Sequence, residues 1–400
     1  MLATMDPARV DLFVPPKTRG IGQLTGDWVF VLSRSVEFGT VGIYNVVPTS
    51  SASDTLILVP LNDPSPQARA VPVATFLSAL GDGIVATNMI GAQLSPDGDR
   101  VVLSVGMKRP DGGLRLGLIV IDLATGASRA LTTDPSFHDD TPAWSPNGMW
   151  IAFTRRSVSD GRDAGIWITS PEPGTNVRGP LLPPLTQADR RTSIYSWTPD
   201  GQQLAISRGE GRYEFFDPFA AGGMPCVTCS PAVVTALNGT VPEFRDAVDW
   251  RRTTPQFVGA FAEGPRGGAQ TIEVADGPAA PQRVVARMNV NPGVLLVRPR
   301  WRPGSDDILY LESPTGVRQG SFNLMIVSAG TGASRRLTTA SSEVFAEWSP
   351  DGGSVVWLEA RGFAQLRAVR VDGSGQRVLL SGGGVPEAII STVDFGTLRF

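Results

Sequence analysis

Trp144-Ser145-Pro146-Asn147-Gly148 and Trp348-Ser349-Pro350-Asp351-Gly352 are nearly the same phrase, written at two distant places in the chain. Other copies are Gln93-Leu94-Ser95-Pro96-Asp97-Gly98 and Trp197-Thr198-Pro199-Asp200-Gly201. Two are degraded, Trp250-Arg251-Arg252 and Trp301-Arg302-Pro303-Gly304. From Leu94 the anchors follow at steps of 50, 53, 53, 51 and 47 residues. A recurrence of this length means an array of one supersecondary unit. The phrase itself is a turn. Proline presets φ for a type I turn, Asp or Asn tolerates the next position, and Gly takes the left-handed one. The aromatic before it is expected to fill the wedge between neighbouring sheets.

Working outward, each turn leads into an apolar run such as Val101-Val102-Leu103, Ile151-Ala152-Phe153 or Val355-Val356-Trp357. A Gly-rich loop follows, then a third strand such as Leu118-Ile119-Val120-Ile121 or Leu324-Met325-Ile326-Val327. A last hairpin closes the unit. Thr125-Gly126-Ala127-Ser128-Arg129-Ala130-Leu131-Thr132-Thr133 and Thr331-Gly332-Ala333-Ser334-Arg335-Arg336-Leu337-Thr338-Thr339 almost coincide there. Strand-sized runs at this spacing mean all-β, and four strands per repeat mean a propeller blade.

Residues 1–90 hold one less regular unit: Gln23-Leu24-Thr25-Gly26-Asp27, Trp28–Leu32, Gly42–Val47, Thr55–Val59 and Ala70–Val73. Thr392-Val393-Asp394-Phe395 resembles the inner run Ala247-Val248-Asp249-Trp250, and a last strand joining the first blade would remove exposed edges. The expectation is an all-β β-propeller of four-stranded antiparallel blades, seven of them, or six if residues 1–90 are an appendage. Residues 1–20 would be an extension and 21–400 one propeller. The blades would lie near 21–76 (completed by 388–396), 92–134, 142–187, 195–237, 247–288, 298–339 and 345–381, with a linker around 77–90.

The anchors resemble the PD40, or WD40-like, repeat of the TolB propeller family over roughly residues 90–382. The resemblance implies a closed propeller whose anchor turn joins the first two strands of each blade. TolB is a periplasmic partner-binding protein of the Tol–Pal system, so the resemblance also implies a protein or peptide partner and a periplasmic or extracellular setting. This sequence shows no N-terminal α/β domain of the TolB kind, and Met1–Pro7 has no basic stretch followed by an apolar one, so no signal peptide is visible. The same repeat occurs in the propellers of prolyl-oligopeptidase-like peptidases, the tricorn protease and oligogalacturonate lyase. It therefore transfers no activity by itself.

Composition narrows the classes. The chain is 42% apolar and 18% charged with a net charge of −3, which suits a globular protein and provides no basic field for nucleic acid. No run of 18 apolar residues suggests a membrane span. A serine hydrolase needs a Gly-x-Ser-x-Gly elbow and its own histidine, and the elbow is absent while His138 is the only histidine. One histidine cannot build the multi-histidine metal site of lyase chemistry. No cofactor and no metal are expected.

Asp134, His138, Asp139 and Asp140 lie between one blade's last strand and the next blade's first. Comparable segments carry Arg190, Arg191, Glu243, Arg245, Asp246, Arg298, Arg300 and Glu343. In the family these segments face the channel mouth. They read as solvated loop ends or as a binding face held on a rigid scaffold. Cys226 and Cys229, with no βαβ pattern around them, read as a loop disulfide or two free thiols. The functional expectation is a monomeric, non-catalytic propeller that holds a protein or peptide at this face. The alternative is a polysaccharide lyase or hydrolase, or a peptidase-associated propeller, with a ligand in the central channel.

Overall fold

The computed structural model describes residues 10–12, 26–33, 38–40, 46–48, 55–64, 68–72, 84–86, 93–174, 176–182, 184, 192–207, 214–219, 233–236, 248–251, 254, 256–262, 270–277, 280–288, 299–312, 322–338, 343–359, 365–381 and 394–399. Among them every regular element is a strand, and the strands form seven consecutive blades. Blade 3 shows the plan: Phe137–Trp144, Ile151–Ser157, Asp163–Thr169 and Arg178–Leu182, each antiparallel to the next and ordered from the axis outward. Blades 4 to 7 repeat it, with inner strands Ser193–Trp197, Val248–Trp250, Arg300–Trp301 and Glu343–Trp348. Blade 1 is closed from the other end of the chain. Its inner strand is Asp394–Arg399, antiparallel to Asp27–Ser33, which pairs Thr55–Pro60 and then Ala68–Pro72.

Three details differ from the sequence reading. Part of the expected linker is a strand, because Ile84–Ala86 and Gln93–Leu94 both pair with Arg100–Lys108 and share the inner position of blade 2. Phe38–Thr40 and Val46–Pro48 form a separate hairpin instead of a blade strand. Val10–Leu12, inside the expected extension, adds a fifth strand parallel to Ala68–Pro72. Each of these strands is only three residues long, too short to show a strand period.

The apolar runs are explained by blade stacking. In Arg100–Lys108 and Leu114–Asp122 every side chain but the terminal ones is buried, because each sheet face is covered by a neighbour. The core is accordingly divided among the wedges. Val102, Leu118 and Val120 of blade 2 meet Trp144, Ile151 and Phe153 of blade 3. Ile166, Ile168 and Leu182 then meet Trp197, Leu204 and Ile206 of blade 4. Equivalent clusters join blades 4 and 5, 5 and 6, and 6 and 7.

The anchors lock the wedges. Trp144 Nε1 donates to Gln93 O (3.1 Å), Trp197 Nε1 to Ala143 O (2.9 Å), Trp348 Nε1 to Arg300 O (3.0 Å) and Trp250 Nε1 to Ser196 Oγ (2.8 Å). Each acceptor belongs to the residue just before the anchor of the preceding blade. A backbone N–H bond in the same direction forms where that residue's side chain can accept: Trp144 N donates to Gln93 Oε1 (2.6 Å) and Trp301 N to Asp249 Oδ2 (2.7 Å).

The turns obey their own chemistry. Gly148, Gly201 and Gly352 have φ of 70°, 69° and 69°, and their N–H groups close type I turns on Ser145, Thr198 and Ser349. The hydroxyls of Ser95, Ser145, Thr198 and Ser349 donate to the Asp or Asn two residues on and accept the backbone N–H five residues on. The degraded copies carry arginine at that position. Arg251 pairs with Asp306 of the next blade (2.6 Å) and covers Trp301, while Arg302 bonds Gly352 O (2.8 Å) and covers Trp348.

Trp348 is 1% exposed. Replacing it with Ala is expected to cost about 3–5 kcal/mol. Trp348→Phe keeps the ring but strands the Arg300 carbonyl and is expected to cost about 1–3 kcal/mol. Met149→Ala, at an exposed turn, should stay within about 0.5 kcal/mol. Urea unfolding of the three variants measures this order; a Phe variant as stable as the parent would refute the indole clasp.

Candidate functional site

The blade plan separates two kinds of connection. Turns after the first and third strands leave at one end of the ring, and loops after the second strand and crossovers to the next blade leave at the other. Anchor turns are uniform: five residues separate Leu94 from Arg100, six separate Trp144 from Ile151, and five separate Trp348 from Ser354. Crossovers vary widely. Six residues lie between Ala130 and Phe137, ten between Leu182 and Ser193, and eleven between Ala236 and Val248. Eleven lie between Met288 and Arg300, and twelve between Ser381 and Asp394. Turn chemistry constrains the anchor turns; the crossovers vary, and so do the turns after the third strand, from five residues between Asp122 and Ser128 to sixteen between Phe216 and Val233.

The sequence placed His138, Asp139 and Asp140 in a loop at that crossover end. They belong to the strand Phe137–Trp144 instead, and the structure employs all three internally. Asp139 has no exposed surface, and both its oxygens are taken by Arg155, from Nε at 2.6 Å and from a terminal nitrogen at 2.9 Å. The Arg155 guanidinium lies 4.3 Å from the Trp167 ring centroid and 4.7 Å from that of Phe137. Asp140 accepts from the Thr141 N–H and sits 4.0 Å from Arg156. Between Asp140 and Ala143 the strand register shifts, with Thr141 in the left-handed region at φ 51°. That irregularity has no signature in the sequence apart from Pro142.

His138 Nδ1 accepts the Leu116 N–H at 3.0 Å. It thereby continues a ladder in which Thr132 Oγ1 accepts the Leu118 N–H at 2.9 Å. The imidazole is neutral, because burial above all, helped by Arg156, Arg109 and Arg115, lowers its pKa to about 4. A neutral ring with Nδ1 accepting carries its proton on Nε2.

Arg300 lies on an inner strand, where its Nε donates to Glu347 Oε2 at 3.1 Å. Glu347 keeps 24% of its side chain accessible, yet burial dominates and pushes its carboxyl up. Arg300 opposes that shift, and Asp249 adds to it. Asp249, Arg300 and Glu347 each stand one residue before an anchor, at the same register on three successive inner strands. The anchor spacing contained this information, and the sequence reading took only Arg300 from it. Arg155 and Arg115 gave no signal, being arginines within apolar strands.

Glu343 begins the strand Glu343–Trp348. Arg190, Arg191, Glu243, Arg245, Cys226 and Cys229 lie outside the described residues. Among the described residues no group of three or more His, Cys, Asp or Glu could hold a metal ion, and no helix is long and apolar enough to cross a membrane.

Removing Asp139 would leave Arg155 buried without its partner, so Asp139→Ala is expected to cost about 3–5 kcal/mol. Replacing both partners by apolar residues, Asp139→Leu with Arg155→Met, should recover much of the loss by the same measurement. The His138 pKa is below the ordinary value of 6.5, so the unfolded chain binds a proton that the folded chain refuses. Stability should therefore fall as pH drops from about 6.5 toward about 4. The variant His138→Asn, which retains an acceptor for Leu116, should lack that part of the pH dependence in urea titrations.

No family model matches the chain, and no curated protein matches it. Solved structures do. A prolyl endopeptidase is 12% identical with a TM-score of 0.56, over 91% of this chain and 50% of that one. A protein of Bacteroides fragilis described as a candidate 6-phosphogluconolactonase is 12% identical with a TM-score of 0.53, over 92% and 98%. TolB from Acinetobacter baumannii is 14% identical with a TM-score of 0.44, over 93% of this chain and 66% of its own length. The chain thus spans about two thirds of that TolB and half of that endopeptidase. At such identities likeness speaks for architecture alone, and with the sheet order it makes this chain an all-β propeller of seven blades.

Proposed function

We propose that this protein is a non-catalytic scaffold that holds a protein or peptide partner at the crossover end of the ring, in the cell envelope or outside the cell. The observation that carries the reading is the contrast between the anchor turns and the crossovers. The six anchor turns run five or six residues, while the crossovers at the other end run six to twelve. Variable connections on a rigid ring are the usual seat of binding. The side chains that would have suggested catalysis support the same reading. Asp139 is consumed by Arg155, His138 by the Leu116 N–H, and Arg300 by Glu347. Arg190, Arg191, Glu243, Arg245 and Glu343 are the proposed contact residues of this face.

The raised carboxyl of Glu347 beside Arg300 favours one second reading, a small polar ligand on the axis. The two readings separate by experiment. A tagged chain crosslinked in its native cells should retain one reproducible partner. Changing Arg190, Arg191 and Arg245 together to Glu should abolish that capture while the unfolding midpoint stays put. Capture at parental strength by the triple variant would reject this face. Loss of ligand binding only in Glu347→Gln would favour the axis.

A further inference from the structure

The junction of blades 2 and 3 at the crossover end gathers cationic groups around one imidazole. His138 and Arg156 are directly opposed across the first two strands of blade 3, and His138 Nδ1 is fixed by the Leu116 N–H of blade 2 at 3.0 Å. With that nitrogen accepting, the ring presents Nε2–H away from Leu116. Among the described residues Arg156 lies 4.0 Å from an Asp140 oxygen and stands in register with Asp163 on the adjoining strand. Arg109, at the turn joining the second and third strands of blade 2, pairs with Asp111 at 2.7 Å, while among the described residues its buried Nε has no partner.

Behind them lies Arg115, only 5% exposed. Its guanidinium meets the carbonyls of Leu116 (3.3 Å) and Thr132 (3.0 Å) and the sulfur of Met107 (3.1 Å), and among the described residues no carboxylate lies within ion-pair distance. The carboxylates that act on it are Asp139, both of whose oxygens Arg155 already holds, and the exposed Asp134. A buried cation without a counter-charge is costly, and such a group in a folded protein calls for an explanation, an anion among them.

We propose that this junction is an anion site that takes a carboxylate, received by His138 Nε2–H and the guanidiniums of Arg156 and Arg109, with Arg115 supplying the field behind them. The inference rests on the reading that this end receives a protein or peptide, and it specifies the partner's contribution as an acidic side chain or a free C-terminus. Charge-assisted bonds from arginine suit a carboxylate, and a neutral imidazole adds a donor without adding charge. The depressed protonation of His138 comes first from burial and then from Arg156, Arg109 and Arg115, which agrees with cationic groups near the ring.

His138 is the only histidine, so its ring resonances report on this place alone. Sodium acetate is titrated into the full chain at pH 7 and constant ionic strength, following the His138 Hε1 and Nε2 signals by NMR. The expected result is a saturable shift, with the midpoint weakened at least about tenfold in Arg156→Gln and in Arg109→Gln, both checked for an unchanged unfolding midpoint. A bound carboxylate also raises the His138 pKa above about 4. A linear response, equal in the parent and both variants, would overturn the site. The acetate experiment needs no partner: a saturable response with an empty pull-down keeps the site and removes the scaffold reading, whereas the reverse removes the site alone.

Discussion

The indole N–H that crosses from one blade to the backbone of the blade before it is the contact on which the ring depends. A four-stranded sheet standing alone exposes two apolar faces. Stacking buries them, but stacking by itself leaves the angle and height of each blade loosely set. Trp144, Trp197, Trp250 and Trp348 remove that freedom, since each places a large ring in the wedge and ties its polar edge to the residue before the previous anchor. The backbone N–H of Trp144 adds a second bond to the same residue, and that of Trp301 reaches Asp249 of the preceding blade. The hydrophobic term thus supplies the energy, and a few hydrogen bonds supply the geometry.

This arrangement also explains the degraded anchors. Where serine is lost, at Arg251 and Arg302, the turn loses its hydroxyl latch, and the arginine reaches forward to the next blade's turn and covers its tryptophan. A connection inside one turn has been exchanged for one between blades. The ring is then closed by a different device, Asp394–Arg399 against Asp27–Ser33, which joins the two ends of the chain in one sheet.

Charge follows the same economy. The ionisable groups nearest the axis and the crossover end are mostly paired within the protein: Asp139 with Arg155, Arg300 with Glu347, and Arg109 with Asp111. The neutral His138 serves a backbone edge. Arg115 departs from this pattern, a buried guanidinium facing carbonyls and a thioether. The departure sits at the crossover end of the ring.

Sequence alone determined the repeat, the four-stranded unit and the turn chemistry, because each is local: a proline, an Asp or Asn and a glycine at fixed offsets admit few conformations. It also pointed to seven units and to a closing C-terminal strand, since Val393-Asp394-Phe395 repeats the pattern of an inner strand. What it misjudged was short, the strand Ile84–Ala86, the hairpin of Phe38–Thr40 with Val46–Pro48, and the parallel strand Val10–Leu12. Their pairing depends on edges that only the assembled sheets provide. The candidate site divides in the same way. His138, Asp139 and Asp140 were found by residue type, but their roles were decided by Arg155, Leu116 and Thr141, neighbours set by strand register and blade stacking. Local chemistry is written in local sequence, whereas the partner of a buried charge is chosen by tertiary packing.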